Sequence, residues 1–363
     1  MRHLAGSFLA ITIGTLAVLS SMSLTSCRDQ YPTSAAQYDT IRDTIDLDDS
    51  NVWIIRNSGV NDNLVIGQFV NSTSGFIGGG TAPGDTGNGI ILNSGDRGSN
   101  WQLACGSVGT SSFGGNVVYG VSFIDALNGF ADGDGQNVFH TTDGGHTWSA
   151  TATNSTLFLR SLWFLDANNG FFGTSDWQNN GNGAGTDGEI WRTADGGNTW
   201  NLVTTTNGGI YHIHFITPSN GVALGRFGVA YWTSDGGNTW NQGTSDQTGA
   251  SSNITRAAFT TGATGFAVCY IDQTHGAILR TDDNGHTWRT IQLAPYGLSG
   301  IATNGNGVVT ACGESGAVIE STDGGTTWNT SKIGTSRWID VTYAGTDRTV
   351  LIGVNGRIAT RDK

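Results

Sequence analysis

Glutamate is almost missing from this 363-residue chain: only Glu189, Glu314 and Glu320 occur, beside two lysines, Lys332 and Lys363. Charged residues make up 13%, where about a quarter is usual. Helices favour Glu, Lys and Ala, so a long helical protein is excluded on composition. Proline is scarce too, at 4 residues. Glycine is plentiful, at 56, but has no three-residue period, which excludes collagen. Aromatics at 10%, with 12 Trp and 15 Phe, supply a core and argue against disorder. The formal net charge of -12 argues against electrostatic binding to nucleic acid or to an anionic membrane. What abounds is Asp, Asn, Thr and Gly, the residues of turns and strands. Length alone suggests two domains at about 150 residues each, but the internal pattern overrules it.

The pattern Ser/Thr-x-Asp-x-Gly-x-x-Trp starts at Ser94, Thr141, Thr193, Thr233, Thr281 and Ser321. A further start, Thr360-Arg361-Asp362, precedes Lys363. Successive starts lie 39 to 52 residues apart. The motif aspartates are Asp96, Asp143, Asp195, Asp235, Asp283, Asp323 and Asp362, and the tryptophans Trp101, Trp148, Trp200, Trp240, Trp288 and Trp328. The physics is local. Asp accepts backbone N–H bonds across a turn, Gly takes the positive-φ position, and Trp opens the next strand and packs over the turn. The pattern is identified as the Asp-box, or bacterial neuraminidase repeat.

Upstream of each box an aromatic or branched residue precedes a Gly-apolar pair by six positions. The pairs are Phe69/Gly75, Phe123/Gly129, Phe164/Gly170, Phe215/Gly221, Phe259/Gly265 and Ile301/Gly307, with Tyr343/Thr349 in the last unit. Each unit therefore reads as four strands, A to D, with the Asp-box between C and D. Four strands per 40 to 50 residues is the signature of a propeller blade. The expectation is an all-β, seven-bladed propeller over 51–363, eight blades being the alternative. The last unit lacks strand D, and residues 51–56, with Trp53 standing where a box Trp stands, are expected to supply it and close the ring.

Residues 1–26 read as a signal peptide: Arg2 and His3, an apolar run from Phe8 to Leu19, then Leu24-Thr25-Ser26-Cys27. The last four resemble the bacterial lipobox, which implies lipidation of Cys27, an ordinary secretory signal being the alternative. Residues 27–50 then form a polar, acidic tether. The expected location is the bacterial cell envelope, lipid-anchored, with the outer membrane favoured because Arg28, not Asp, follows the cysteine. The remaining cysteines, Cys105, Cys269 and Cys312, are expected to be free thiols.

The two repeated patterns together resemble the photosystem II stability/assembly-factor family over nearly all of 51–363. That resemblance implies a non-enzymatic scaffold that binds an envelope or membrane protein client. The chain is expected to be monomeric, to need no cofactor or metal, and to touch the membrane only through its lipid. The alternative is a glycan-binding or glycan-hydrolysing protein, since sialidases and xyloglucanases also carry Asp-boxes. No Arg-Ile-Pro segment of the sialidase kind occurs, and none of the three Glu falls on an inner strand. Strand order places the B–C and D–A loops on the face opposite the boxes, where loops on a rigid scaffold concentrate binding residues. Trp177, Tyr270 and His275 are candidate contacts there, and Arg160 and Tyr211, with Tyr119 and Arg256, are candidates at the channel mouth. His212 and His214 share a strand face and would need a third ligand to hold a metal. Asp132-Gly-Asp134-Gly resembles the start of a calcium loop, but the distal Glu is missing and a tight B–C turn explains it better.

Overall fold

The computed structural model describes residues 52–80, 89–104, 117–133, 136–176, 188–249, 251–260 and 262–363. Seven sheets make up this part, each with four antiparallel strands ordered A-B-C-D from the inside outward. The innermost strands are Asn63–Phe69, Val121–Phe123, Phe158–Phe164, Ile210–Phe215, Asn253–Phe259, Leu298–Thr303 and Trp338–Ala344, in blades one to seven. Among the described residues the only helical turn is Glu314–Gly316.

The ring closes as expected, with a small shift. Ile54–Asn57 pairs antiparallel with Arg357–Asp362, Ile54 facing Thr360, and becomes strand D of blade seven. Trp53 lies just before the strand. Its ring sits 4.5 Å under the Arg361 guanidinium and packs on a cluster drawn from blades six and seven. Ion pairs sew the same region together: Arg97–Asp347 and Arg348–Asp362 at 2.6 Å each, and Lys363–Glu320 at 2.7 Å.

In the six complete Asp-boxes the carboxylate and the Ser or Thr hydroxyl close the turn. In blade two the Thr141 hydroxyl donates to Asp143 Oδ1 (2.8 Å) and accepts from the Gly145 N–H (3.0 Å). Thr147 donates its N–H to Oδ1 (2.9 Å) and its hydroxyl to Oδ2 (2.6 Å), and the Trp148 indole donates to the Gly145 carbonyl (2.9 Å). The residue after the Asp is left-handed as well: Gly144 has φ 72°, Arg97 65° and Asn284 59°. The box also reaches the A–B turn of its own blade, Gly144 N–H to the Leu127 carbonyl at 2.8 Å, so boxes and A–B turns share one face.

The Phe–Gly pairs are direct cross-strand partners, Phe69 opposite Gly75 and Phe164 opposite Gly170. The reason for Gly is steric, since a Cβ on Gly75 would lie 2.5 Å from the Phe69 ring. Those rings stack on the preceding blade, Phe123 on Phe76 and Phe164 on Phe130, with centroids 3.5 Å apart, and meet the box Trp edge-on. Burial of each such ring stabilises the interface by about 2–3 kcal/mol. Blade six departs from the expected register. Thr303, not Ile301, faces Val309, and Gly307 sits in the turn at φ 86°. The pair keeps the six-residue spacing but sits two residues further on, with Thr and Val where blades one to five have Phe and Gly.

Two connections on the loop face carry strand. Residues 270–276 form the tip of a hairpin between Gly265–Asp272 and His275–Thr281. In the connection after blade four, Thr244–Ser245 adds to blade five as a parallel fifth strand beside Thr287–Ala294. Cys269 and Cys312 are buried and free, and Cys105 lies outside the described residues.

Asp235→Ala removes three hydrogen bonds from its turn. It is expected to lower stability by about 1–2 kcal/mol in urea unfolding. The Thr hydroxyl four residues on, then its N–H, hold the Asp195, Asp235 and Asp323 carboxyls down at about 2. Their unfolded values are near 3.9. The native state therefore binds fewer protons. These groups contribute fully above about pH 4, and the contribution is lost as pH falls through 2. Deleting 51–57 bares the edge of Arg357–Asp362 and is expected to lower the melting temperature; melting like the parent overturns the closure.

Candidate functional site

The seven A strands enclose a cavity of about 430 Å³ on the propeller axis. In six of the seven blades the register between A and B slips by one residue at the same height, between Leu64 and Ile66, Leu159 and Ser161, Ile210 and His212, Ile254 and Arg256, Leu298 and Gly300, and Trp338 and Asp340. A bulge re-aims the extra side chain and sharpens the local twist. Arg160 and Tyr211 are two of these extra residues, and both line the cavity. The Arg160 guanidinium lies 4.0 Å over the Tyr119 ring, another lining residue.

Just past the bulge, Arg256 of blade five reaches Asp340 of blade seven, Nε to Oδ2 at 3.8 Å. The residue between them at this height in blade six is Gly300, where a Cβ would stand 2.6 Å from the Asp340 Cα. The missing side chain opens the gap that the pair spans. Arg256 also donates to the Thr255 carbonyl (2.9 Å) and, at 3.4 Å, to the Val65 carbonyl of blade one. Asp340 accepts from the N–H groups of Gly67 (3.2 Å) and Val341 (2.9 Å). Burial pushes the Asp340 carboxyl up to about 6, against the pull of Arg256 and the two N–H donors.

His212 and His214 line the same cavity with ring centroids 6.0 Å apart. The His212 Nε2 is 3.1 Å from the Ala257 carbonyl, and His214 is stacked against Phe259. Burial holds His214 down at about 4 and His212 well below its ordinary value, so both are neutral near pH 7. No third His, Cys, Asp or Glu joins them among the described residues. Asp132 is built into the backbone: its Oδ1 accepts the N–H groups of Tyr119 (3.0 Å) and Gly120 (2.6 Å). Asp134 lies outside the described residues.

Of the loop-face candidates, Tyr270 and His275 do not line the cavity. The Tyr270 hydroxyl donates to Glu314 (3.2 Å), which pairs with Arg337 at 3.3 Å. His275, two-thirds exposed, pairs with Asp272 at 2.9 Å. Trp177 lies outside the described residues. Asp340 and Gly300 escaped the motif reading because no repeated pattern contains them. The available signal was an Asp on an inner strand at the height where blades four and five carry His212 and Arg256.

Residues 114–262, from the entry to blade two into the start of blade five, match the family model described as Photosynthesis system II assembly factor YCF48. The structure of YCF48 bound to a D1 peptide superposes with a TM-score of 0.64 at 20% identity, covering 86% of this chain and 97% of that one. YCF48 from Cyanidioschyzon merolae gives 0.63 at 17%, covering 85% and 98%. The GH74 xyloglucanase from Xanthomonas campestris gives 0.62 at 13%, covering 86% of this chain but 54% of that one. At these identities the likenesses are likenesses of fold. No curated protein matches the sequence. The resemblance to the photosystem II assembly-factor family, read first from the two repeated patterns, is thus met again in the family match and in the fold.

Because the folded Asp340 value lies above the unfolded one, the native state binds the extra proton between about pH 4 and 6. This group's contribution to stability therefore falls as pH rises through that window. Urea midpoints of the parent and Asp340→Asn, compared from pH 4 to 7, are expected to show the parent's relative stability falling as pH rises. A difference independent of pH overturns the assignment.

Proposed function

We propose that the chain is a non-enzymatic scaffold of a bacterial cell envelope, lipid-anchored through Cys27, that holds a segment of an envelope or membrane protein on its loop face. The observation that carries this reading is how the carboxylates are used. Among the described residues around the axis and loop face, six carboxylates, Asp132, Glu189, Asp246, Asp272, Glu314 and Asp340, each accept bonds from backbone or side-chain donors of the fold. A glycosidase needs two carboxyl groups free to act on substrate, about 5–10 Å apart across a cleft. These six are instead spent on structure. The solved structure of YCF48 bound to a D1 peptide supports the reading from outside, since that propeller of similar fold binds a peptide.

The anchor rests on Leu24–Cys27 and on the polar stretch that follows it. Among the described residues no helix is long and apolar enough to cross a membrane. A lipidated cysteine would place the propeller at a membrane surface with the tether as spacer. Monomeric action and the absence of any cofactor belong to the same proposal.

The test uses the full-length chain in its native membranes. A photo-crosslinking residue at His275, on the loop face, is expected to capture an envelope protein, whereas one at Thr326, on the box face, is not. Equal capture from both positions, or release of sugar from xyloglucan or sialosides by the purified chain, overturns the scaffold reading. Cys27→Ser is expected to move the protein into the soluble fraction, and unchanged membrane residence counts against the anchor.

A further inference from the structure

The axial cavity exists because the inner strands differ in bulk at one height. Two residues along from the Arg256–Asp340 level, blades three and four present Trp163 and His214, whereas blades five, six and seven present Ala258, Ala302 and Thr342. All five line the cavity, and the three small ones leave its space open. Its 430 Å³ falls among small-molecule sites, which run from about 300 to 1,000 Å³. Arg256 bars one end. Its guanidinium donates to the Thr255 carbonyl of its own blade and to the Val65 carbonyl of blade one, three blades away, the farthest that a seven-bladed ring allows. The side chain therefore crosses the axis at the height of the bulges, on the loop-face side, with Asp340 beside it. At the other end the lining reaches Asn304 and Gly345 in the A–B turns, and Gly345 is exposed. The cavity is thus a well entered from the box face.

The lining gives the chemistry of what the well takes. Trp163, His214 and Phe259, each half-buried, form a run of rings over blades three to five, with centroids 4.6 Å and 5.4 Å apart. Such rings offer faces and edges to a flat partner. The Tyr211 and Thr342 hydroxyls, the Trp163 indole N–H and the His214 ring nitrogens make no hydrogen bond among the described residues. Gln68 adds nothing to them, because its amide is bonded in both directions to the Phe123 backbone (2.7 and 3.1 Å). Charge is already met. Arg256 faces Asp340, and the two histidines are neutral near pH 7. An anion would compete with Asp340 for Arg256, and a cation would have to draw Asp340 away from it. A sugar would bury hydroxyls on every side, yet Ala258, Phe259 and Ala302 give them no partner on blades five and six. The lining fits a flat, uncharged molecule with a few polar atoms.

We infer that the axial cavity is a binding site for an uncharged planar heteroaromatic molecule, which enters from the box face and packs against the Trp163–Phe259 wall. The free hydroxyl and N–H groups of Tyr211, Thr342 and Trp163 meet its ring nitrogens and carbonyls. The Arg256 bar is the floor of the site and positions its walls. The site goes beyond the scaffold reading: it lies on the axis, is reached from the face opposite the proposed client, and does not depend on that client.

The measurement is a fluorescence titration of lumichrome, an uncharged three-ring heteroaromatic, with the full-length chain in detergent and detergent alone as the blank. Calorimetry with 2-naphthoate and with methyl β-glucoside supplies the anionic and sugar arms. Lumichrome is expected to bind at least about tenfold more tightly than either. Ala302→Phe puts a ring into the open space and is expected to bring lumichrome binding down to the blank. Thr342→Val keeps the side-chain shape, removes one free hydroxyl, and is expected to weaken binding about fivefold without lowering the melting temperature. Tyr211→Phe is expected to act the same way. These two variants decide the matter if Ala302→Phe does not fold. No binding of lumichrome by the parent overturns the inference. So does equal binding by the parent and a folded Ala302→Phe, unchanged binding in both hydroxyl variants, or tighter binding of naphthoate or the glucoside. If lumichrome fails while a crosslinker at His275 still captures a protein, this inference falls and the scaffold reading stands.

Discussion

A four-stranded blade cannot hide both of its faces, and only a closed ring gives every blade two neighbours. The buried clusters show this directly, since each draws on adjacent blades, as Phe76 and Ile91 of blade one do with Phe123 and Phe139 of blade two. One missing contact would leave two apolar faces in water. Ile54–Asn57 is therefore more than an edge strand. It brings the two chain ends of the propeller into one sheet and turns seven marginal sheets into one cooperative body. The ion pairs of Arg97, Arg348 and Lys363 gather at the same seam, where the covalent chain gives no help.

The axis obeys a different constraint. Seven strands converge there, and side chains at one height compete for one space. Gly300 yields its share, Arg256 takes it, and the charge that results is met by Asp340 two blades away. The bulges just outside this level aim Arg160 and Tyr211 inward. The channel is thus lined by rings and guanidinium groups, with one carboxylate already engaged. The box face is built differently, from turns whose aspartates bond their own backbone.

Periodicity made the fold readable. A box of fixed spacing, an aromatic six residues before a glycine, and a lone Trp53 sufficed for blade number, strand order and ring closure. Each of those features is local, so sequence distance reports it faithfully. Blade six shows the limit: Gly307 fitted the six-residue spacing, yet it lies in the turn, and the strands pair Thr303 with Val309. The site was less legible for the same reason. Arg160 and Tyr211 were found because they depart from the apolar pattern of their strands. The Arg256–Asp340 pair joins residues 84 positions apart through the absence of a side chain at a third, and no spacing rule encodes that.

The position of the closing strand has a mechanical side. The chain enters the propeller at the outermost ladder of blade seven, so a pull on the segment before Ile54 does not reach the core first. It loads the rungs from Ile54–Thr360 to Asn57–Arg357 in turn, across a join whose two strands lie about 300 residues apart in the chain. The seam that gives the ring its cooperativity is also the place where tension from outside arrives. A propeller hung by this end would yield by losing one strand, and the remaining blades would follow only once that seam had opened.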